Sequence, residues 1–324
     1  MKCILWGLSA ILIMLPSLVL GENQLPDSLV YYNYPGKHVL IVDKSGCEVR
    51  VYRYQEQWGQ VAQYKCTTGK KEGDKFKEGD ERTPLGIYWI NNGWTGNELV
   101  SQYGDSAAIY GLGAFELNYP NYIDKLLYNK SGYGIWLHGT DKGEPSATRG
   151  CVSTSNSDLA EISRYIQLGQ TPILIEEKVN YVTPDQMERQ QNEILTFLDD
   201  WKNAWESDDL ANFLSFYSKD FQTPRFNYRQ WQEYKQIVNN MNTNRRVEVS
   251  DISILKSKDL YSIQFLQRFT SDRTRDVGKK QLYLVQEAGL YKILSENWEP
   301  EAVLPHKPSF NHYAYKLNTQ EESL

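Results

Sequence analysis

The sequence changes its hydrophobic period near residues 179–188, and this change limits the possible folds more than any other feature. Before it, apolar residues form short β-branched runs, as in "HVLIVDKSGCEVRVYRYQE" at 38–56. After it, apolar residues such as Ile194, Leu198 and Trp201 recur at helical spacing. A chain of 324 residues is long enough for two domains. We therefore expect two differently built domains joined by a polar linker at 179–188.

The first domain, residues 37–178, is expected to be mainly β. Two β-branched runs around "DKSG" predict a hairpin, "GQVAQYKCTTGK" continues as a third strand, and "YGIWLHGT" ends a strand at His138. The segment "KEGDKFKEGDERTPLG" is dense in glycine and charge, which predicts a long loop. One clear helix follows Cys151, and Ser155 or Asn156 is expected to cap it.

The second domain, residues 189–300, begins with three helical segments and continues with four strand-like segments. Helices first and a meandering sheet afterwards indicate an α+β domain. Trp201, Trp205 and Trp298 either line a ligand pocket or belong to the core, and the core is the interpretation that we favour for each.

The first 21 residues have the pattern of a secretory signal peptide. Lys2 precedes the apolar stretch "CILWGLSAILIMLPSLVLG", and Val19 and Gly21 are small residues at the spacing that a signal peptidase accepts. An uncleaved membrane anchor is the alternative, and Pro16 near the end of the stretch favours cleavage. The mature chain is then expected in the periplasm or cell envelope, without stable membrane insertion.

Charge and residue spacing argue against nucleic acid and a metal ion as partners of the chain. A net charge of −6 provides no electrostatic reason to bind nucleic acid. The tail, residues 301–324, is expected to be flexible, and its His306 and His312 are expected to be surface residues. No third ligand lies at useful spacing from them, so neither a metal site nor a cofactor is predicted.

Three cysteines remain after the signal peptide: Cys47, Cys66 and Cys151. Cys47 and Cys66 lie in neighbouring strand-like segments, where they either form a disulfide or are two small buried residues. In either case Cys151 is predicted to be the free thiol, and an unpaired thiol in an exported chain needs an explanation.

The stretch "HGTDKGEPSATRGCV" at 138–152 supplies a chemical explanation. A thiol attacks as its thiolate, and a nearby histidine such as His138 can take the proton of Cys151. The backbone N–H groups of Gly150 and Cys151 are suited to hold an oxyanion. Arg149 adds positive charge that can bind a substrate carboxylate. A Cys–His pair at this spacing also arises by chance, so the residues alone leave the surface-loop alternative open.

These residues resemble the catalytic domain of the L,D-transpeptidase (YkuD) family over about residues 37–176. The family signature is a strand ending in His-Gly, a variable loop, and then [Ser/Thr]-x-Gly-Cys. The matching residues here are His138, Gly139 and Thr140, followed by Thr148, Arg149, Gly150, Cys151 and Val152. An upstream motif of the family matches Thr83, Pro84, Gly86 and Tyr88.

The resemblance implies a role for each matching position. Cys151 would be the nucleophile, His138 the general base, and the carbonyl of Gly139 would orient the imidazole. The sequence departs from many family members at Arg149 and Ser153, which flank the nucleophile and are candidate substrate-binding residues. The identity of the acceptor is therefore left open.

The second domain resembles the cone-shaped SnoaL-like (nuclear-transport-factor-like) fold, through "WKNAWESDDLANFLSFYSKDF" and "GLYKILSENWEP". Such a fold does not indicate a function by itself. The expected fold class is a mainly β YkuD-type sandwich followed by an α+β cone-shaped SnoaL-like domain. Chains that join these two domains include cell-shape carboxypeptidases.

The leading hypothesis is an exported L,D-transpeptidase that acts on peptidoglycan stem peptides. Its nucleophile would attack the L-centre carbonyl of diaminopimelate in a tetrapeptide stem and form a thioester. An L,D-carboxypeptidase, which trims tetrapeptide to tripeptide, is the alternative with the same residues. A peptidoglycan-binding module with an idle site is the non-enzyme alternative, and the intact His138/Cys151 pair argues against it.

Overall fold

The computed structural model describes residues 24–32 and 37–301. The predicted signal peptide, His306 and His312 lie outside these ranges. The strands are β1 (Leu25–Pro26), β2 (Tyr31–Tyr32), β3 (His38–Asp43), β4 (Glu48–Gln55), β5 (Gln57–Lys65), β6 (Gly86–Thr95), β7 (Gly113–Leu117), β8 (Trp136–His138), β9 (Val152–Ser153), β10 (Pro172–Glu176), β11 (Tyr181–Val182), β12 (Arg246–Ser257), β13 (Leu260–Thr270), β14 (Arg275–Glu287) and β15 (Leu290–Pro300). The helices are α1 (Gly96–Tyr103), α2 (Tyr122–Leu126), α3 (Asn156–Ser163), α4 (Pro184–Glu206), α5 (Leu210–Ser215) and α6 (Tyr228–Met241), with a 3-10 helix at Asp105–Tyr110. Within the described ranges, no helix is both long enough and apolar enough to span a bilayer.

The first domain is built on eight strands in the order β5-β4-β3-β10-β6-β7-β8-β9. The predicted hairpin is confirmed as β3 and β4, which pair from His38 opposite Arg53 to Asp43 opposite Glu48. The predicted helix after Cys151 is also confirmed, as α3. Helices α1 and α2 were not predicted, because each is short and lies between strand-like segments.

Strand β6 bends this sheet into two packed layers. Its first half pairs with β10, its second half pairs with β7, and the register shifts between Ile90 and Asn92. Such an irregularity bends a strand and lets it pass from one layer to the next. Leu40 and Val51 of one layer share a core with Phe115 and Leu137 of the other. The expected β sandwich is therefore confirmed.

The second domain packs helices α4, α5 and α6 against the antiparallel strands β12 to β15. Trp201 is 1% exposed in the core between them, as predicted. Trp205 is half-buried and packs against the same cluster. The core prediction is wrong for Trp298, which is 37% exposed because it lies near the end of the edge strand β15.

Residues 24–32, which the domain prediction left out, connect both domains. Strand β1 pairs with β11, and β2 adds a fifth strand to the sheet of the second domain beside β12. The predicted linker 179–188 contains β11 and the first turn of α4, where Thr183 and Gln186 form a capping box. The polar composition of this stretch therefore reflects a capped helix start as well as a connection.

The two domains also meet along one face of the second sheet. The ring of Tyr122 stacks on Tyr283 with centroids 5.8 Å apart, and its hydroxyl donates to the carbonyl of Glu296 at 3.0 Å. Lys258 pairs with Asp74 across the same contact at 3.2 Å. A cavity of about 340 Å³ lies beside these residues.

Candidate active site

The register of β8 and β9 brings the two predicted catalytic residues to one face of the sheet. The strands are parallel, with Leu137 beside Val152 and His138 beside Ser153. Cys151 therefore lies next to Trp136, one step before the paired residues. Side chains at alternate positions of a strand share a face. Cys151 and His138 accordingly point to the same side.

The thiol of Cys151 forms a hydrogen bond with the backbone just before β8. Its Sγ–H donates to the carbonyl of Gly134 at 3.4 Å. Burial raises the pKa of the Cys151 thiol to about 11, while a hydrogen bond from the Trp136 N–H and the charge of Lys75 act in the opposite direction. Burial is the largest of these influences, so the resting site favours the protonated thiol over the thiolate.

The imidazole of His138 has a fixed tautomer. Its Nδ1–H donates to the carbonyl of Gly139 at 2.5 Å, which leaves Nε2 as the acceptor. Burial lowers the pKa of His138 below its usual value, and the Gly139 carbonyl only partly opposes this. The ring of Tyr110 packs edge-on against the imidazole, with centroids 5.0 Å apart. The ring is therefore neutral, oriented and able to accept a proton.

A carboxamide that the sequence reasoning considered only as a helix cap secures the turn after His138. Asn156 Oδ1 accepts hydrogen bonds from the N–H of Leu112 at 2.8 Å and of Thr140 at 3.1 Å. A Cβ added at Gly111 or Gly139 would lie 2.3 Å from this oxygen, so both positions require glycine. Ser155 supplies the actual cap, by accepting from the Asp158 N–H.

Thr83, a residue of the upstream motif, forms a hydrogen bond with the backbone of Cys151. Thr83 is fully buried, accepts from the Gly69 N–H at 2.8 Å and donates to the Cys151 carbonyl at 3.4 Å. Thr148 donates to the same carbonyl at 2.7 Å. Two hydroxyls therefore fix the peptide that follows the thiol, which explains why both motifs contain threonine.

The remaining predicted site residues differ in their exposure to solvent and in their hydrogen bonds. Arg149 is exposed, and no carboxylate of the described chain lies within ion-pair distance of it. Ser153 is only 2% exposed. The Gly150 N–H donates to Thr148 Oγ1 at 3.0 Å and is already occupied. The Cys151 N–H has no acceptor among residues 24–32 and 37–301, so it is the better candidate donor to an oxyanion.

A cluster of aromatic side chains lies beside the two predicted catalytic residues, and sequence reasoning did not single it out. The ring of Trp136 contacts three others at centroid distances of 4.9 to 6.2 Å. This aromatic cluster consists of Trp94, Tyr103, Tyr110 and Trp136. Its members come from four separate segments, so no local motif signals it.

Other candidate sites have less support. No group of three potential metal ligands occurs in the described part of the chain. Cys47 and Cys66 are free thiols joined only by a backbone hydrogen bond of 2.8 Å. Cys66 is buried, whereas Cys47 is exposed, contrary to the idea of two buried residues. The interdomain cavity contains none of the predicted site residues.

Two family models match the chain. The model of the L,D-transpeptidase catalytic domain, YkuD, matches residues 37–175. The model of the Cds6 C-terminal NTF2-like domain matches residues 193–297. A comparison with curated proteins found no match.

Solved structures resemble the chain across both domains. The structure of Bdellovibrio bacteriovorus Bd1075 is 33% identical, with a TM-score of 0.75, over 87% of this chain and 100% of that one. The helical cell shape determining protein Pgp2 from Campylobacter jejuni is 28% identical, with a TM-score of 0.69, over 84% of this chain and 96% of that one. The likeness therefore includes the arrangement of the two domains as well as each domain separately.

Proposed function

The chain belongs to the YkuD family of L,D-transpeptidase catalytic domains, and on that premise we propose that it remodels peptidoglycan stem peptides by acyl transfer through Cys151. The observation that carries the proposal is the placement of a thiol and a neutral imidazole on the same face of two adjacent strands. The imidazole has its Nδ1–H bound to a carbonyl and Nε2 left to accept a proton.

The first half of the reaction forms a thioester. Nε2 of His138 takes the thiol proton, and Cys151 Sγ attacks the L-centre carbonyl of diaminopimelate in a tetrapeptide stem. The oxyanion that develops accepts a hydrogen bond from the Cys151 N–H. The C–N bond to the terminal D-Ala then breaks, and the imidazolium returns its proton to the leaving amine.

The raised pKa of the thiol fits this sequence of steps. A thiol with a pKa of about 11 stays protonated at neutral pH until a base is in place. Transfer to His138 is then coupled to attack, because the imidazolium would be costly in its buried position unless the substrate carbonyl is developing negative charge. Before substrate binds, the resting nucleophile is expected to react slowly with small electrophiles.

The second half distinguishes two reactions. An amine from another stem gives a 3→3 cross-link, which is L,D-transpeptidation, and we take this as the leading assignment. Water gives a tripeptide, which is L,D-carboxypeptidation. The second candidate is supported by the two-domain likeness to Pgp2, a protein described as determining helical cell shape. Both outcomes use the same residues of this chain.

One experiment tests the proposal and separates the two outcomes. The chain lacking residues 1–21 is incubated with purified tetrapeptide muropeptides, and the products are resolved by mass. Cross-linked dimer with released D-Ala supports transpeptidation, and tripeptide with released D-Ala supports carboxypeptidation. Intact tetrapeptide after prolonged incubation with folded enzyme would contradict both reactions and favour the binding-module alternative.

The exposed Arg149 is proposed to bind a carboxylate of the donor stem, because it lies two residues before the nucleophile and has no ion-pair partner in the described chain. We expect Arg149→Lys to slow all turnover of tetrapeptide by about tenfold, since lysine lacks the planar fork for a bidentate pair. Steady-state release of D-Ala measures the effect.

The matched control is Arg164→Lys, an exposed arginine just after the end of α3 that forms an ion pair with Glu161. It should leave turnover unchanged. If Arg149→Lys retains normal D-Ala release but shifts products from dimer toward tripeptide, the residue binds the acceptor instead.

The close approach at Gly139 makes a second prediction. We expect Gly139→Ala to reduce turnover about a hundredfold or more, because its Cβ would lie 2.3 Å from Asn156 Oδ1 and would displace the carbonyl that orients His138. Gly59→Ala is the control, since this exposed glycine of β5 has no positive φ and nothing within 4 Å of the added Cβ. Equal effects of the two substitutions would exclude orientation as the cause.

The chain is further proposed to act in the periplasm or cell envelope, where its substrate lies and where a signal peptide would direct it. The second domain is proposed to support the catalytic domain across the interdomain contact. Fractionation of cells that produce the full chain, followed by detection in the periplasm or cytoplasm, tests the location.

A further inference from the structure

A buried lysine lies behind the nucleophile loop and takes no part in the mechanism above. Lys75 is 3% exposed in the long loop between β5 and β6. Its Nζ donates to Asp80 Oδ1 at 2.7 Å and to the carbonyl of Lys77 at 3.1 Å. A Cβ added at Gly150 would lie 3.6 Å from the same Nζ. The ammonium group therefore lies against the residue that precedes Cys151.

The partner of this lysine is itself fixed by the backbone. Asp80 accepts from the N–H groups of Phe76 at 2.9 Å, Lys77 at 3.2 Å and Arg82 at 3.2 Å. Burial acts to raise the pKa of Asp80, but the Lys75 hydrogen bond and these backbone donors lower it to about 2. The turn at 76–82 thus keeps three hydrogen bonds without the lysine, and the turn alone does not explain why a cation is buried here.

One N–H donor of the Lys75 ammonium group has no acceptor in the described part of the chain. Lysine has three N–H donors, and Asp80 and the Lys77 carbonyl use two of them. The absence of a side chain at Gly150, whose φ is 142°, lets the charge approach the loop closely. A fixed charge in a site shielded from water acts more strongly than the same charge at the surface.

We infer that Lys75 is a positioning residue whose fixed positive charge, anchored by Asp80 behind Gly150, stabilises the anionic states of Cys151 and of the group bound to it. The inference deepens the proposed function, since these states are the thiolate and the oxyanion. The proton of the thiol still goes to His138.

Other groups face the thiol and have different roles. The backbone N–H of Trp136 faces the sulfur, and the ring of Tyr110 packs edge-on against the imidazole of His138 and lies near the thiol. Arg149 is exposed to solvent, where its charge is screened. Lys75 is the buried cation that acts on Cys151 within the described chain. Removing it should therefore change the protonation of the thiol more than removing any surface charge.

The test measures alkylation of Cys151 by iodoacetamide as a function of pH, with peptide mapping by mass to separate it from Cys47 and Cys66. In the Lys75→Met chain we expect the profile to move to higher pH by about one unit, the lower end of the effect of a nearby opposite charge. At a fixed pH below the thiol pKa, the rate should fall by up to about tenfold.

Lys130→Met is the matched control. Lys130 is also a buried lysine of the same domain, paired with Asp74 and Asp124 at 3.0 Å each. Both substitutions remove a buried ion pair, so both should lower the melting temperature. Only Lys75→Met should move the alkylation profile, because Lys130 does not act on the thiol.

If Lys75→Met does not fold, Lys75→Met/Asp80→Asn removes the pair without leaving an uncompensated charge. An unchanged profile in either variant, or an equal shift in Lys130→Met, would overturn the inference. Alkylation needs no stem peptide. A shifted profile in a chain that turns over no muropeptide would therefore preserve the inference and reject the proposed function.

Discussion

Replacing Cys151 with alanine is expected to reduce turnover of tetrapeptide stems by more than about a thousandfold while leaving the fold intact. The residue supplies the bond-forming sulfur in the proposed reaction, and no other thiol of the described chain lies at this site. Circular dichroism verifies the fold, and release of D-Ala measures the activity. His138→Ala should reduce turnover by a similar factor, because a nucleophile and its base act as one unit.

Cys66→Ala is the control for removing a thiol. Cys66 is buried in the first domain, burial raises its pKa to about 12, and it lies outside the site. Turnover should survive that substitution. Normal turnover by a folded Cys151→Ala chain would reject the nucleophile assignment and with it the thioester.

Trp201→Ala should produce the largest loss of stability, about 3–5 kcal/mol, through removal of a buried ring from the second domain. The ring is 1% exposed, packs against Trp205, Phe213 and Phe265, and donates its Nε1–H to Tyr217 at 3.3 Å. Urea titration followed by tryptophan fluorescence measures the effect. Two domains can unfold at different urea concentrations. The fluorescence transition is therefore compared with the urea concentration at which Cys151, in the first domain, becomes open to alkylation.

The control for this substitution is Trp298→Ala, which removes a ring of the same type from an exposed position on β15. Its effect should be clearly smaller, about 1 kcal/mol, because the ring is 37% exposed and packs over Gly278 instead of lying in the core. Similar losses from both substitutions would show that the helices do not bury the core of the second domain as described.

Local signals predicted the parts of the fold that depend on neighbouring residues. The β3/β4 hairpin followed from two alternating runs around a short turn, and α3 followed from a cap and a periodic apolar face. His138 and Cys151 were proposed as catalytic residues because the strand end with its histidine and the glycine before the cysteine lie within 15 residues of each other. The helices of the second domain were predicted from a signal that is equally local, the helical spacing of their apolar residues.

Contacts between distant residues could not be predicted in the same way. Asn156 reaches Leu112 across 44 positions of sequence, and Thr83 reaches Cys151 across 68. The protonation of the thiol depends on burial by the assembled sheet, so the motif suggested a thiolate where the structure favours a thiol. Trp298 was assigned to the core because hydrophobicity alone does not reveal which strand becomes a sheet edge.

The position of β2 has a consequence for how the chain reaches its native state. Tyr31 and Tyr32, near the start of the described chain, pair with Ser253 and Ile254, which are synthesised roughly 220 residues later. Contacts of such long sequence separation close large loops and form late. Strand β2 therefore cannot pair with β12 until the sheet of the second domain has been synthesised. A chain truncated before β12 lacks the partner of β2. The β2–β12 pair can therefore form only after synthesis has reached the sheet of the second domain.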